Sequence, residues 1–330
     1  MVGSYEINVA NATCKYNLTI KRNITIIKGD SGSGKSTLVH MIEDYIQNGP
    51  DSGVTMSCPI SCRVIDGNLW REQLSLFKDC IVFIDEGNSF VTSQEFAACV
   101  KAGLNYYVIV TREKLDNLPY SVDEIYGIKS SGKYNEIEPV YHEMYHIYEE
   151  YTHNLPAGET ITPDVIITED SNAGYEFFCA AIEILHSSIK CSNVGGNSNI
   201  HTTATAIRNR SVLVIADGAA FGSHMERICQ LILSGIDLHL FLPESFEWLL
   251  LDSDIVKDIP RAELDHAELY ADSTRFFSWE RYFTYLITMY TKNTHMPYKK
   301  DHLNNYYRHP NIIQKVLNHI KGIDFYKSED

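Results

Sequence analysis

A glycine-rich loop lies between an apolar run and a helix-like stretch near the start of the 330-residue chain. Residues 29–36 (GDSGSGKS) match the pattern G-x-x-x-x-G-K-[ST] at each fixed position. Residues 24–29 (ITIIKG) before them are largely apolar, and residues 37–47 after them carry apolar side chains at helical spacing. Such a loop turns backbone N–H groups toward an anion, and the helix N-terminus adds the positive end of its dipole. The order of strand, loop and helix predicts a phosphate-binding loop.

This loop predicts a nucleotide site with a bound Mg²⁺. Lys35 can reach the β- and γ-phosphates, and Ser36 can offer its hydroxyl to the metal. The predicted nucleotide-contacting residues are Gly29, Asp30, Ser31, Gly32, Ser33, Gly34, Lys35, Ser36, Thr37, Asp85 and Thr111. We expect ATP as the nucleotide.

A second motif, which ends in two acidic residues, indicates that the nucleotide is hydrolysed as well as bound. Residues 80–84 (CIVFI) form an apolar strand that ends in Asp85 and Glu86. An aspartate there can hold the Mg²⁺ shell, and Glu86 is the predicted catalytic residue that polarises the attacking water. Alternatively, Glu86 only caps the following turn. The next strand, YYVIV, ends in Thr111 and Arg112. Arg112 either senses the γ-phosphate or forms an ordinary surface ion pair.

Residues 5–115 resemble the P-loop ATPases with an added catalytic glutamate, the ABC, RecA and AAA+ branch. The resemblance depends on GDSGSGKST and IVFIDE. It implies ATP hydrolysis with Mg²⁺, and assembly as a homo-oligomer or with a partner ATPase subunit. Two departures from the ABC pattern are the lack of an LSGGQ-like segment and of a histidine at the strand tip. A weaker alternative is a kinase for a small molecule, although the first half has no arginine-rich lid.

The pattern of elements predicts an α/β protein of two domains. Strands and helices alternate up to residue 110, after an antiparallel hairpin over residues 5–23, which favours a mostly parallel sheet. The prediction divides the chain into a P-loop ATPase domain (1–152), a turn-rich linker (153–164), a second α/β domain (165–262) and a helical, locally basic C-terminal extension (263–330).

Several strands of the second half end in carboxylates. VIIT is followed by Glu169 and Asp170, SVLVIA by Asp217, and the strand before LPESFEW by Glu244 and Glu247. Strand C-termini of a parallel sheet share one edge, where ligands bind. Converging carboxylates repel one another, and Mg²⁺ is the usual compensation. Glu169, Asp217, Glu244 and Glu247 are therefore predicted metal ligands, unless they serve as helix N-caps instead.

Residues 163–250 resemble a Toprim domain, a Rossmannoid metal-binding fold, in the order strand–Glu169, GYEFF helix, GGNSNI turn, strand–Asp217 and LPESFEW. The resemblance implies that Glu169 acts as general acid/base or metal ligand and Asp217 as metal ligand. The family's D-x-D motif reads Asp217-Gly218-Ala219 here, so Glu244 or Glu247 would have to replace the missing oxygen. An ATPase joined to a Toprim domain resembles the overcoming-lysogenisation-defect nucleases, which implies a Mg²⁺-dependent nuclease in antiviral defence against phage or mobile DNA. The alternative is an ATP-gated sensor or scaffold with a degenerate Toprim-like domain.

The C-terminal region contains the one basic stretch of an acidic protein. The chain has 28 Lys and Arg against 43 Asp and Glu, a net charge of −15, which excludes nucleic-acid binding through net charge alone. Residues 292–327 hold seven Lys or Arg, two acids and interleaved tyrosines. We expect nucleic acid there, DNA in preference to RNA, unless this is only a solvated helical surface.

The remaining composition indicates a cytoplasmic protein. No apolar run approaches the ~20 residues of a membrane helix, and residues 1–17 have no signal-peptide pattern. The eight cysteines are expected to be reduced thiols.

Overall fold

The computed structural model describes residues 1–131, 140–152, 160–207 and 209–328. The chain divides into two compact units. The first comprises Met1–Ile147 and His266–Ser278, and the second Tyr148–Asp265 and Trp279–Asp330. Residues 153–159 of the predicted linker lie outside the described residues.

Residues 263–330, which we expected to form one C-terminal extension, are divided between the units. His266–Ser278 belongs to the first unit because its backbone is bonded there: Gly3 N donates to Glu268 O at 2.6 Å, and Ser273 N donates to Met1 O at 2.9 Å. The part from Trp279 onward packs within the second unit.

The first unit is built on one mixed sheet. Its strands are β1 (Tyr5–Ala10), β2 (Cys14–Ile20), β3 (Ile24–Ile27), β4 (Thr55–Ser57), β5 (Cys62–Val64), β6 (Ile81–Ile84), β7 (Tyr106–Val110), β8 (Ile125–Ser131) and β9 (Val140–His146). Its helices are α1 (Lys35–Asn48), α2 (Trp70–Ser75) and α3 (Gln94–Ala102).

The sheet order β4-β1-β2-β9-β8-β3-β7-β6-β5 has a parallel core. Strands β8, β3, β7, β6 and β5 run parallel, and every residue of β3, β6 and β7 is buried. Such continuous apolar strands need cover on both faces. The order places β7 between the strand before the glycine-rich loop and the strand before Asp85.

The antiparallel hairpin predicted over residues 5–23 is present as β1 and β2. A second antiparallel pair, β8 and β9, was not anticipated from the sequence, and β9 lies parallel to β2. The first sheet is therefore mixed, whereas we expected it to be mostly parallel.

The second unit has a smaller, wholly parallel sheet. Its strands are β10 (Val165–Thr168), β11 (Lys190–Asn193), β12 (Val212–Ile215) and β13 (Leu238–Phe241), in the order β11-β10-β12-β13. Its helices are α4 (Glu149–Thr152), α5 (Ala173–Ile184), α6 (Asn197–Ala206), α7 (Met225–Leu233), α8 (Phe246–Asp252), α9 (Arg261–Asp265), α10 (Trp279–Thr291) and α11 (Pro310–Leu317). The alternation predicted from the sequence is confirmed here.

None of the helices in the described part of the chain has the length and hydropathy needed to cross a membrane.

The centre of the first sheet should dominate the stability of its unit. Phe83 on β6 is fully buried, whereas Leu76 after α2 is 81% exposed. We expect Phe83→Ala to lower the free energy of unfolding by about 3–5 kcal/mol, because it removes a large buried ring and leaves a cavity. Leu76→Ala, the control, should change it by less than about 0.5 kcal/mol. Urea unfolding followed by circular dichroism measures both, and equal losses would contradict the burial pattern.

Candidate functional site

The glycine-rich loop takes backbone conformations that glycine alone adopts easily. Gly29, Gly32 and Gly34 have φ angles of 136°, 83° and 92°. Helix α1 starts immediately after Gly34, so its unpaired N–H groups face the loop. The sequence therefore folds into a concave turn of backbone at a helix N-terminus, which is a site for an anion.

Gly34 has a second constraint, from side chains packed against it. The Tyr16 hydroxyl donates to Gly34 O at 2.9 Å, and the Tyr16 ring stacks on His142 with centroids 4.5 Å apart. A Cβ at Gly34 would lie 2.7 Å from the Tyr16 oxygen and 3.1 Å from His142 Cε1. Burial lowers the pKa of His142, which favours its neutral ring. Strand β2 of the hairpin and strand β9 thus pack side chains against the loop at Gly34.

Lys35 is buried, with its ammonium turned into the loop. Its Nζ donates to Gly29 O at 2.7 Å, to Asp30 O at 2.6 Å and to Ser33 Oγ at 3.1 Å. The loop is therefore wrapped around one positive charge, which is the arrangement that phosphate oxygens require.

Ser36 and Asp85 come together although 48 residues separate them in the chain. Ser36 Oγ donates to Asp85 Oδ1 at 3.1 Å, and His40 Nε2 lies 3.8 Å from Asp85 Oδ2. In an octahedral Mg²⁺ shell with oxygens at ~2.1 Å, neighbouring oxygens are ~3 Å apart. The two side chains therefore fit adjacent positions of a Mg²⁺ shell, and a site that uses phosphates and waters needs few protein ligands.

Glu86 is held by an arginine that spans the mouth of the loop. Arg112 Nε lies 2.6 Å from Glu86 Oε1, and another guanidinium nitrogen donates to Ser31 Oγ at 2.7 Å. Arg112 thus contacts the phosphate loop and the predicted catalytic carboxylate together. The Thr111 side chain is buried, and its Oγ1 accepts from Glu113 N at 2.9 Å. Arg112, rather than the predicted Thr111, has the reach to act on a ligand from this strand tip.

In the second unit, the tips of β10 and β12 bring two carboxylates together. Glu169 Oε2 accepts from Asp217 N at 3.2 Å, and Asp217 Oδ1 accepts from Phe246 N at 3.0 Å. Asp170, by contrast, accepts from Gly174 N and Tyr175 N at the start of α5. Asp170 therefore caps a helix, as the alternative interpretation of these carboxylates held.

Two further carboxylates and a lysine complete this region. Glu247 on α8 is 1% exposed and its Oε1 accepts from the Tyr298 hydroxyl at 2.8 Å. The Lys300 ammonium lies 3.9 Å from Glu247 Oε1 and forms an ion pair with Glu280. We call Glu169, Asp217, Glu247 and Glu280 the acidic cluster. Sequence reasoning missed Glu280, because no strand-tip position or motif marks it, and counted Tyr298 and Lys300 in the basic stretch expected to bind nucleic acid.

The pKa values show mutual repulsion in this cluster. Burial, with Glu280, Glu247 and Glu169 nearby, raises the pKa of Asp217 well above its usual value, and Lys300 opposes the rise. Burial raises the pKa of Glu169 to about 7. The Lys300 pKa is also raised: burial alone would lower it, but Glu247, Asp217 and Glu280 outweigh that effect. Glu244, a predicted ligand, lies beside this site through its backbone, because its carbonyl accepts from Ala219 N at 3.2 Å.

A divalent metal does not fit the acidic cluster well. Within the residues that the structure describes, no three His, Cys, Asp or Glu side chains are arranged to hold a metal ion. A cavity of about 30 Å³ lined by Glu169, Asp170, Asp217 and neighbouring apolar side chains has room for only about one or two waters. Lys300 therefore provides part of the positive charge that we expected Mg²⁺ to provide against the repulsion between the carboxylates.

The C-terminal cations are mostly engaged with the protein itself. Arg308 pairs with Glu176 and Lys327 with Asp164, while Lys315 and Lys321 donate to the backbone oxygens of Asp254 and Asn318. Tyr298 and Tyr307 are buried, and Tyr326 is exposed. Lys292, Lys299, Lys315 and Lys321 are exposed, whereas Lys300, Arg308 and Lys327 are partly buried. Acids of the protein therefore neutralise Lys300, Arg308 and Lys327, and nucleic-acid binding by the exposed lysines stays a prediction.

No protein-family model matches the chain, and no curated protein matches it either. The assignment of function therefore depends on the geometry of the two sites.

The packing against Gly34 can be tested without nucleotide. We expect Gly34→Ala to lower the free energy of unfolding of the first unit by about 2–4 kcal/mol, because backbone strain adds to the collision with Tyr16. Gly32→Ala is the control: its φ is 83° but a Cβ there meets nothing within 4 Å, so only the strain of about 1–2 kcal/mol is expected. Chemical denaturation compares the two, and an equal loss would refute the collision.

The raised pKa of Glu169, about 7, makes stability depend on pH. In an unfolded chain a glutamate has a pKa of ~4.3. Between these values the folded state keeps a proton that the unfolded state has lost, so the free energy of unfolding falls as pH rises through this window. Glu169→Gln removes that dependence.

We therefore expect the stability of Glu169→Gln relative to wild type to improve by about 1–3 kcal/mol from about pH 4.5 to pH 8. Urea unfolding at both pH values measures it. Glu183→Gln, a substitution at an exposed position of α5, should follow wild type throughout. Parallel pH profiles for wild type and Glu169→Gln would show that Glu169 titrates normally.

Proposed function

We propose that the first unit binds ATP and hydrolyses it with Mg²⁺. The observation that carries the proposal is the hydrogen bond from Ser36 to Asp85, which joins the start of α1 to the tip of β6. A hydroxyl and a carboxylate that converge beside a phosphate loop are the protein ligands of a Mg²⁺–nucleotide site, in which phosphates and waters provide the other ligands. A loop that bound only phosphate would need neither group.

Each residue of the site has a role in this proposal. The loop backbone and Lys35 bind the phosphates, with Lys35 exchanging a loop carbonyl for a phosphate oxygen. Ser36 and Asp85 hold Mg²⁺, which when bound neutralises charge on the β- and γ-phosphates. Glu86 accepts a proton from the attacking water, and Thr111 holds the turn that carries Arg112.

Arg112 links nucleotide binding to the release of Glu86. In the structure, its guanidinium is bound to Glu86 and Ser31. A γ-phosphate at the loop competes for the same guanidinium, because a doubly charged phosphate attracts it more strongly than one carboxylate. Glu86 is then free to orient water when a triphosphate is present.

Glu86→Gln separates catalysis from binding. We expect kcat to fall by about 10²-fold or more, because the amide cannot accept the proton, while nucleotide affinity stays within about threefold. Phosphate release and fluorescent-nucleotide binding measure the two quantities. Glu6→Gln on the exposed face of β1 is the matched control and should behave as wild type. If kcat is unchanged in Glu86→Gln, Glu86 is not catalytic and only caps the turn.

The same assay distinguishes hydrolysis from phosphoryl transfer. Phosphate release without any acceptor counts against the small-molecule kinase, since a kinase needs its acceptor for turnover. Loss of nucleotide binding in Lys35→Ala is expected under either function.

For the second unit, we propose a non-catalytic module controlled by the ATPase, as in the sensor or scaffold alternative. The supporting observation is that the Lys300 ammonium lies 3.9 Å from Glu247, a predicted metal ligand, pairs with Glu280 and interacts with the charge of Asp217. The nuclease remains a prediction of the Toprim-like order of residues. Its test is metal-dependent cleavage of plasmid, linear DNA and RNA, with Glu169→Ala as control, and cleavage that this substitution abolishes would favour the nuclease.

A further inference from the structure

The acidic cluster brings four carboxyl groups close enough for three of them to act on Asp217. Glu169 and Asp217 follow the ends of β10 and β12, Glu247 and Glu280 lie in the first turns of α8 and α10, and Glu247 is almost fully buried. Glu247 Oε2 has no hydrogen-bond partner within the described part of the chain. Buried carboxylates in this number need protons or a cation, because an uncompensated buried charge is costly.

Hydrogen bonds at Lys300 itself and at Tyr298, two residues earlier, fix the backbone that carries the Lys300 side chain. Its own carbonyl accepts from Ala173 N at 3.2 Å, at the first residue of α5. Two residues earlier, Tyr298 N donates to Thr291 Oγ1 at 2.9 Å, and the Tyr298 hydroxyl donates to Glu247 at 2.8 Å. The backbone on either side is therefore fixed, and the ammonium is delivered to Glu280 and Glu247.

The Lys300 ammonium lies where a divalent ion would need to approach Glu247 and Glu280. Mg²⁺ usually keeps several of its waters when proteins bind it. A tethered ammonium needs no such shell, since it brings three donors on a chain that is already in place.

We propose that Lys300 is the resident cation of the acidic cluster and takes the place of a divalent metal, so that the cluster does not bind Mg²⁺ in the native chain. The second unit then uses this edge of its sheet as a self-neutralised, metal-free surface. This inference is independent of ATP hydrolysis by the first unit.

Removal of the ammonium should turn the cluster into a metal site. The test is titration of the full chain with Mn²⁺, without nucleotide, followed by electron paramagnetic resonance of the free ion. We expect Lys300→Met to bind one Mn²⁺ at least tenfold more tightly than wild type, and the gain to vanish in Lys300→Met/Asp217→Asn. Lys299→Met removes the neighbouring exposed lysine and should match wild type.

Thermal unfolding gives a second measurement. Millimolar Mg²⁺ should raise the Tm of Lys300→Met and leave that of wild type unchanged, because only the variant has an uncompensated cluster. Tight binding of Mn²⁺ to wild type that Asp217→Asn abolishes would overturn the proposal, and this comparison decides the matter even if Lys300→Met does not fold. Equal Mn²⁺ affinity in wild type and folded Lys300→Met would overturn it as well.

Discussion

Both sites depend on strands whose backbone groups must all be paired inside a parallel sheet. The buried strands β3, β6 and β7 have no water to satisfy their N–H and C=O groups, so they lie side by side in a single direction. Their carboxyl ends then meet at one edge. The loop after β3 and the carboxylates after β6 are close because the sheet requires it, and the polar side chains that follow each strand share that edge.

The sequence was sufficient to predict those elements that depend on a local pattern of residues. The glycine-rich loop, the apolar strands and the hairpin at residues 5–23 follow from spacing and composition, and the structure has them with boundaries shifted by up to three residues. The pairing of β9 with β2 was not accessible in this way, because nothing in either strand specifies a partner more than a hundred residues away. The same limit applies to Arg112, whose contacts with Glu86 and Ser31 arise from sheet order.

The C-terminal basic stretch shows most clearly what a local reading of the sequence cannot predict. A local balance of charges along residues 292–327 indicates a basic surface, but the acids that neutralise it come from distant positions. Lys327 reaches Asp164 across 163 residues, and Arg308 reaches Glu176 across 132. In a chain with a net charge of −15, a lysine has many carboxylates to meet once the chain is folded. Counting along the sequence therefore overestimates free positive charge.

The position of Lys300 in the chain has a consequence for the order of events during synthesis. Strands β10 and β12, with Glu169 and Asp217 at their tips, leave the ribosome before the segment that carries Glu280 and Lys300. Domains generally fold as units while the chain grows, at about 5–20 residues per second. For several seconds the nascent second unit therefore has its first carboxylates without their counter-charge. The charge of Lys300 therefore reaches these carboxylates only after the last helical part of the second unit has been synthesised.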